Sequence, residues 1–217
     1  CISSAASDVY KRQVYERNKE AADTENRYIL TCKNTDKICI FTNKGQMHLL
    51  KVLDLPYGKF RDKGIPIDNL SNYDSSEENF IYIINLGAII HSRLLFGTKT
   101  AMLKMVDGSE FDVAKRTTAS TKLNEDDELL IVHAMTGEET VVMQSEKEMF
   151  LRIEASTIPE KKKGAVGVRG MKLNAGDALS NIYVLDGESE QTVEVKGKEV
   201  VLNRLRVGNR DTKGTKR

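Results

Sequence analysis

The sequence predicts an all-β fold, a propeller-like array of four-stranded blades of about fifty residues each. Basic loops that contain a Lys-Gly dipeptide recur at Lys63-Gly64, Lys163-Gly164 and Lys213-Gly214, at intervals of 100 and 50 residues. The position halfway through the long interval holds Lys115-Arg116. Self-similarity with a period near fifty residues is typical of propellers and solenoid arrays.

A hairpin pattern precedes each basic loop. Two apolar runs rich in β-branched residues flank a short polar turn, which is the pattern of a β-hairpin. The four copies start at Ile38, Arg93, Thr140 and Gln191. A third apolar stretch follows the loop at Ile65 and Val168, and a closing run follows at Phe80, Glu128 and Ser180. Four strands in each unit make one propeller blade.

The first thirteen residues are predicted to be foreign to the protein. The segment Ser3–Gln13, SSAASDVYKRQ, is the translation of a common transposon-based sequencing adapter. We therefore set residues 1–13 aside from fold reasoning and expect the natural chain to extend upstream of Val14. Residues 14–27 are then the remnant of an upstream blade. The predicted array occupies 28–217, with blades at 28–84, 85–133, 134–184 and an incomplete 185–217.

Motifs of catalysis and metal binding are missing from the sequence. His48, His91 and His133 are isolated, and Cys32 and Cys39 fit small buried thiols better than metal ligands. The Gly-rich stretch at Gly164 leads into a strand and not into a helix, so it does not fit a nucleotide-binding loop. No apolar run approaches the roughly 20 residues that cross a bilayer. We expect no catalytic residue and no metal ligand in this chain.

Charge is balanced in total but uneven along the chain. Without residues 1–13, 31 basic and 31 acidic residues remain. Basic residues concentrate in the recurring loops, and acidic residues in SSEEN, NEDDE and GESE. Equivalent loops of an array share one rim, so the loops predict a basic stripe. Its predicted contact residues are Lys59, Arg61, Lys63, Lys115, Arg116, Lys161, Lys162, Lys163, Arg169, Arg206, Arg210 and Lys213.

The repeat alone allows two classes of function. One is a surface that wraps nucleic acid through phosphate contacts. The other is a propeller-type scaffold for protein interactions, of the kelch kind, which also has repeats near fifty residues. The period does not separate these classes. Scaffolds of this kind usually carry paired glycines or Trp markers, and this chain has neither.

Two ordered signatures carry a family resemblance. Cys39–Leu70 resembles a blade of the C-terminal domain of bacterial type IIA topoisomerase A subunits, with Lys44-Gly45 at the turn, then Leu55-Pro56, then a basic stretch and Gly64-Ile65-Pro66-Ile67. GAVGVRGMKLNAGDAL, from Gly164, is similar to the family's Gly-Val-Arg-Gly element. The resemblance covers about 28–214. The second repeat departs from it, because its turn carries Thr100-Ala101 where the family usually has glycine.

The resemblance implies a β-pinwheel, whose propeller-like blades exchange strands with their neighbours. It implies that the parent protein is the DNA-cleaving subunit of an ATP-dependent type II topoisomerase, located in the bacterial cytoplasm at the nucleoid. The catalytic residues belong to an N-terminal cleavage core. This domain then needs no cofactor, whereas ATP and Mg²⁺ serve other domains or subunits. The expected partners are duplex DNA, bound with little sequence preference, the cleavage core and the ATPase B-type subunit, with no membrane.

The choice between gyrase and topoisomerase IV depends on the first blade. The cleaving subunit of gyrase carries a Gln-Arg-Arg-Gly-Gly-Lys-Gly box that follows a Tyr-Glu pair. Here Tyr15-Glu16 is followed by RNKEAAD, which has no glycine and two basic residues. The stretch predicts a topoisomerase IV-like subunit that relaxes and decatenates DNA. The alternatives are a cleaving subunit of gyrase whose box lies upstream and, from another class, the propeller-type scaffold.

Overall fold

The computed structural model describes residues 26–58 and 63–217, and within them the chain is built almost entirely of strands and turns. The strands are β1 (Lys37–Thr42), β2 (Gln46–Lys51), β3 (Phe80–Asn85), β4 (Arg93–Thr98), β5 (Met102–Asp107), β6 (Thr117–Ala119), β7 (Leu129–Met135), β8 (Thr140–Ser145), β9 (Met149–Glu154), β10 (Val168–Arg169), β11 (Leu179–Leu185), β12 (Thr192–Val195), β13 (Lys198–Val201) and β14 (Thr215–Lys216). A short helix, α1 (Leu86–Ile89), begins at Asn85, whose side chain accepts a hydrogen bond from the Gly87 N–H. Single 3-10 turns follow the second strand of each hairpin, at Val52–Asp54, Gly108–Phe111, Ala155–Thr157 and Leu202–Arg204, and another lies at Ile67–Asn69.

Three antiparallel sheets of four strands each organise the molecule. Sheet 1 has the order β3-β1-β2-β6, sheet 2 has β10-β5-β4-β7 and sheet 3 has β11-β8-β9-β14. In each sheet the outer edge strand comes from the repeat that follows, since β6 lies after β5, β10 after β9 and β14 after β13. The all-β prediction and the β-pinwheel implied by the resemblance are therefore confirmed.

The sheets pack in sequence order around their inner strands. β7 contacts β3 on one side and β11 on the other, and the rings of Tyr82 and His133 lie 6.5 Å apart across the first of these contacts. With β3, β7 and β11 inside, the edge strands β6, β10 and β14 form the outside of the array. The position of every exchanged strand on the outer edge determines where the basic loops lie.

Apolar side chains fill the space between successive sheets. Between sheets 1 and 2, Phe41 meets Phe111 edge to face with ring centroids 5.1 Å apart, and Phe96 stacks on Phe111. Between sheets 2 and 3, Leu103 and Met143 belong to one buried cluster. The central strands are buried along nearly their whole length, as expected of strands whose two faces are both covered by packing.

The hairpin turns of the three complete sheets have the same backbone conformation, although their residues differ. The last turn residue is left-handed in each complete sheet, with φ of 70° at Gly45, 63° at Ala101 and 62° at Glu148. Glycine adopts this region freely, whereas a residue with a Cβ loses roughly 1–2 kcal/mol there. Ala101 is fully buried, so its methyl group contributes packing that offsets part of this cost. The departure at Thr100-Ala101 thus leaves the turn geometry unchanged.

The first and last repeats differ from the expected four-strand unit. The stretch at Ile65 forms no strand among the described residues and contains the 3-10 turn Ile67–Asn69. The last hairpin, β12–β13, stands as a two-stranded sheet. Its own edge segment, β14, pairs with β9 of sheet 3.

Candidate nucleic-acid interface

The predicted basic residues of the later repeats lie on or beside the outer edge strands. Lys115 and Arg116 lead directly into β6, Lys161–Lys163 precede β10, and Arg206 and Arg210 lie on the segment that ends in β14. Pairing fixes each crossover to the strand beneath it: the Leu49 N–H donates to the Arg116 carbonyl at 2.7 Å, and the Gly208 N–H to the Arg152 carbonyl at 2.8 Å. The strand exchange therefore brings these loops to one surface.

We call this surface the outer rim and define it as residues 112–119, 159–172 and 206–216. It carries eleven Lys and Arg residues against three Asp and Glu residues. The hairpin turns and strand entries, at 43–45, 74–79, 99–101, 124–128, 146–148 and 174–178, carry ten acidic residues against three basic ones. Opposite charges are thus sorted onto different parts of the array, although the chain as a whole is nearly neutral. A polyanion is attracted to the rim and repelled from the turns.

The third-repeat loop is the most basic part of the rim. The Lys161 N–H donates to the Met105 carbonyl at 2.8 Å, while the Lys161 side chain is exposed and has no acidic partner among the described residues. The Lys162 side chain is 88% exposed and lies 3.4 Å from the Glu110 carboxylate. Lys163 differs, because its ammonium donates to the Glu110 carbonyl at 2.7 Å and its N–H to the Glu110 carboxylate at 2.9 Å. Two of the three lysines are therefore presented to solvent, and the third fastens the loop.

The fourth-repeat loop docks against the edge of the third. Arg169 lies 3.5 Å from Asp211, and the Arg210 guanidinium donates to the Arg169 carbonyl at 3.1 Å. The backbone continues this contact, since the Lys172 N–H donates to the Thr212 carbonyl at 2.9 Å. Arg206 and Lys213 are exposed and lack an acidic partner in the described part of the chain. Two neighbouring loops thus form a continuous stretch of cationic groups.

The second-repeat crossover is shorter and less basic. Arg116 lies 3.5 Å from Asp54, at the end of the 3-10 turn that follows β2, and both side chains are largely solvated. Ion pairs of this exposed kind contribute about 0–1 kcal/mol, so Arg116 remains available to an anion. Lys115 is exposed next to it.

In the first repeat, Lys59 and Arg61 lie outside the described residues. Lys63 is exposed beside an apolar groove that includes Tyr57, Ile65 and Leu70. It is not on an edge strand of the three sheets, so the structure does not bring it together with the other predicted contacts. The adapter-like segment and the Tyr15-Glu16 stretch likewise lie outside the described residues.

Side chains that anchor the rim were not identified from the sequence as part of a site. Lys104 and Arg152 stand out in sequence only as basic residues within apolar runs, and Glu110 gives no signal at all. In the structure Lys104 is almost fully buried beneath the third-repeat loop, and Arg152 donates to the carbonyls of Asn203 and Leu205 beneath the fourth. A basic residue at a buried strand position is the signal that points to such an anchor.

The acidic turns are held together by their own contacts. The Glu128 carboxylate accepts hydrogen bonds from Lys99 at 2.6 Å and Lys44 at 3.0 Å, and these two ammonium groups lower its pKa to about 2. Asp127 is buried and accepts from the Thr100 N–H at 3.0 Å. These carboxylates stabilise turns between neighbouring sheets, which explains the concentration of acidic residues at the hairpin turns and strand entries.

Histidine and cysteine side chains occupy structural positions. His48 is buried between Glu78, at 2.6 Å, and Thr117, at 3.1 Å. Cys39 is buried, which raises the pKa of its thiol to about 12. Within 26–58 and 63–217, no group of three or more His, Cys, Asp and Glu side chains could hold a metal ion. Among the same residues, helical structure is far too short to span a membrane.

Comparison with known proteins agrees with the fold and the repeat. Residues 92–134 and 139–186 each match the family model of the DNA gyrase C-terminal domain, a β-propeller. The A subunit of DNA gyrase from Staphylococcus epidermidis is 31% identical over 196 residues, which is 87% of this chain and 22% of that protein. The chain thus spans about a fifth of the length of this relative.

Two solved structures share the architecture. The C-terminal domain of DNA topoisomerase IV superposes with a TM-score of 0.78 at 21% identity, over 92% of this chain and 66% of that one. The E. coli ParC C-terminal domain gives 0.72 at 15% identity, over 87% of this chain and 79% of that one. The fold and its basic rim define a β-pinwheel domain. Its matched segments, 92–134 and 139–186, are repeats of the DNA gyrase C-terminal β-propeller family.

Proposed function

We propose that this chain binds and bends duplex DNA along its outer rim, as the non-catalytic C-terminal domain of the DNA-cleaving subunit of a type II topoisomerase. The sorting of charge supports this most directly, since eleven basic and three acidic residues lie on the rim. Flexible side chains on a surface that contacts only phosphates fit an activity at many sequences.

The rigidity of the rim supports bending as well as binding. Bending a segment of 20–30 base pairs costs on the order of 1–6 kcal/mol, so a bending surface must keep its cationic groups in place against that load. Here the crossovers are paired to β2, β5 and β9, and the fourth-repeat loop is paired to the third. A basic tail without such pairing would bind DNA and leave it straight.

The parent protein, in this proposal, is an ATP-dependent enzyme of the bacterial cytoplasm. Its partners are DNA, the cleavage core of the same polypeptide and an ATPase B-type subunit. This domain presents a DNA segment to the core and itself needs no cofactor. The protein-interaction scaffold remains the competing function and predicts no DNA binding.

Binding to a duplex without sequence preference tests the proposal. Affinity measured by fluorescence anisotropy should fall steeply with salt, with a slope of about −0.9 in log K against log salt for each phosphate contact. Lys161→Glu should weaken binding and reduce the size of the slope by about one. Lys122→Glu is the matched control, because Lys122 is exposed, has no acidic partner among the described residues and lies off the rim. Equal loss in both variants would reject the rim as the binding surface, and no binding at low salt would favour the scaffold.

The choice of enzyme within the family stays a prediction from the Tyr15-Glu16 stretch. The proposal is a topoisomerase IV-like subunit, which relaxes and decatenates DNA. Joined to its natural upstream region and the B-type subunit, the protein should not introduce negative supercoils into relaxed plasmid in the presence of ATP. Negative supercoiling would instead assign it to gyrase and leave DNA binding by the rim intact.

A further inference from the structure

One buried lysine lies directly beneath the most basic loop of the rim. Lys104, on β5, is 1% exposed. Its ammonium donates to the carbonyls of Lys163 and Ala165, each at 2.8 Å, and of Lys162 at 3.2 Å. It also lies 5.5 Å from the centre of the Phe96 ring. All three donors of the ammonium are directed at the backbone of one loop.

The loop has no regular secondary structure to give it shape. Between Lys161, which pairs with β5, and Val168, where β10 begins, its backbone contacts are one internal turn from the Ala165 N–H to the Lys162 carbonyl and the bonds to Lys104 and Glu110. Without Lys104, three neighbouring carbonyls would lose their common partner. The Lys162 carbonyl would keep the Ala165 N–H, but those of Lys163 and Ala165 would have no donor, at a cost of about 1–3 kcal/mol for each that stays away from water, so the loop would move toward water.

The neighbouring sheets place a basic side chain in a similar role. In sheet 1, His48 occupies the position equivalent to Lys104 in the hairpin register and contacts Thr117, the first residue of β6. In sheet 3, Arg152 is one residue further along its strand, and its guanidinium donates to the Asn203 and Leu205 carbonyls. In all three complete sheets a cationic or polar side chain from the middle of the sheet thus contacts the following repeat, on the crossover itself in sheets 1 and 2 and just before it in sheet 3.

We propose that Lys104 is a positioning residue for DNA binding, whose ammonium holds the loop 161–165 in the shape that presents Lys161 and Lys162 to phosphate. This inference rests on the proposed DNA-binding function of the rim. Lys104 does not touch the nucleic acid itself. It acts by removing the ordering cost that the loop would otherwise meet on binding.

The charge of Lys104 is what allows three carbonyls to share it. A neutral amine has two N–H groups and a lone pair, and the lone pair would face the third carbonyl. Burial lowers the pKa of Lys104 to about 8, against the opposing effect of Glu110. The other charged groups that face the loop are Lys162 and Lys163, beside Glu110. Raising the pH from 7 to 9.5 should therefore release the loop.

The Lys104 contribution to stability and the DNA affinity respond to this pH change in opposite directions. The folded pKa lies below the ordinary value of 10.5, so the unfolded chain binds more protons between pH 8 and 10.5. The Lys104 contribution to global stability therefore becomes more favourable as pH rises through that range. The raised pKa of the buried Cys39 thiol acts in the opposite direction above pH 9, so circular dichroism over the same interval is needed to separate unfolding from release of the loop.

The test compares Lys104→Met with two matched lysine-to-methionine changes in the full chain. Lys104→Met should lower affinity for a duplex about three- to tenfold and reduce the salt slope by about one to two. Amide exchange should accelerate at 161–165 and stay slow in β4 and β7. Lys161→Met should reduce affinity without faster exchange, and Lys122→Met should change neither. If Lys104→Met fails to fold, Lys104→Gln carries the test through the pH profile, because its amide keeps donors for the loop but does not titrate.

The dependence of DNA affinity on pH provides the second measurement. Affinity of the unmutated chain should fall about threefold between pH 7 and 9.5, and the fall should be absent in Lys104→Met. Unchanged affinity and loop exchange in Lys104→Met would overturn the clamp, as would a flat pH profile in the unmutated chain or an unchanged pH profile in Lys104→Gln. Failure of the proposed function is distinguishable, since the chain then binds no DNA while loop exchange still reports on the clamp.

Discussion

Sheet 2 and the last hairpin have the same local pattern and very different surroundings. Both pair two short strands across a turn that ends in a left-handed residue, Ala101 in one and Gly197 in the other. Sheet 2 gains β7 on its inner side and β10 on its outer side, and its central strands are buried. The hairpin β12–β13 gains neither, and most of its residues stay at least partly exposed.

The difference shows that a repeat in this fold is not a self-sufficient unit. Buried contacts arise between a sheet and its neighbours, and the pairing of an outer edge depends on the repeat that follows. Stability in such arrays is close to a sum of weak units and strong interfaces. Equivalent substitutions in sheet 2 and in the hairpin should therefore have unequal effects.

The largest expected effect is in the core between sheets 2 and 3. Leu103 is fully buried, its side chain lies against Gly97 and Gly170, and its backbone lies against Gly167, so that none of these glycines has room for a Cβ. Leu103→Ala should reduce the free energy of unfolding by about 3 kcal/mol, since the rigid backbone around it cannot close the cavity. Truncation of a partly buried side chain in the hairpin, Val193→Ala, should cost below about 1 kcal/mol.

Urea unfolding monitored by circular dichroism measures both changes. Comparable losses in the two variants would contradict the view that the hairpin is energetically peripheral. A loss below about 1 kcal/mol for Leu103→Ala would show that the glycine-lined site collapses after all.

A smaller effect is expected where a carboxylate joins sheets 2 and 3. Glu139 is buried; burial alone would raise its pKa, but hydrogen bonds from Thr136 and Gly137 outweigh this and lower the pKa to about 2. Because the folded pKa lies below the ordinary value of 4.5, the carboxylate stabilises the fold above pH 4.5, and this contribution is lost as pH falls toward 2. The hairpin has Gln191 at the equivalent point, where its carbonyl accepts from the Leu202 N–H as that of Glu139 accepts from Ala155.

Glu139→Gln makes sheet 3 resemble the hairpin at this point. We expect a loss on the order of 2 kcal/mol at pH 7 and a flatter decline of stability between about pH 4.5 and 2.5. Urea midpoints across this range provide the measurement. The control is Glu138→Gln, an exposed neighbour that should behave like the unmutated chain. An unchanged acid profile in Glu139→Gln would assign the acid sensitivity to other carboxylates.

Local pattern was enough to predict the hairpins and the basic loops, whereas the pairing between repeats was not encoded locally. The four hairpins lie where two apolar runs flank a short polar turn, because the two strands of a hairpin are only a few residues apart in sequence. The strand expected at Ile65 needs a recipient that pattern alone does not provide, and Leu86–Ile89 forms a helical turn after its strand because the Asn85 side chain caps it.

The candidate site shows the same limit. The residues of the basic loops could be chosen from charge and period; the described ones in the later repeats lie on or beside the outer edge strands, and their role in binding stays a prediction. That Lys163 turns inward could not be predicted, because its partner Glu110 lies 53 residues away in sequence. Lys104 was visible only as a charge in an apolar run, and its role depends on carbonyls that become neighbours after folding.

Each sheet takes its outer edge strand from the repeat that follows, and this has a consequence for how such genes change in length. A copied segment that runs from one hairpin to the next carries its own hairpin and the edge strand of the sheet before it. Insertion of such a segment leaves the preceding sheet complete, because the inserted repeat supplies the outer edge strand that the displaced repeat supplied before. Recombination between copies can therefore lengthen or shorten the array in whole steps, with no new unpaired edge in its interior.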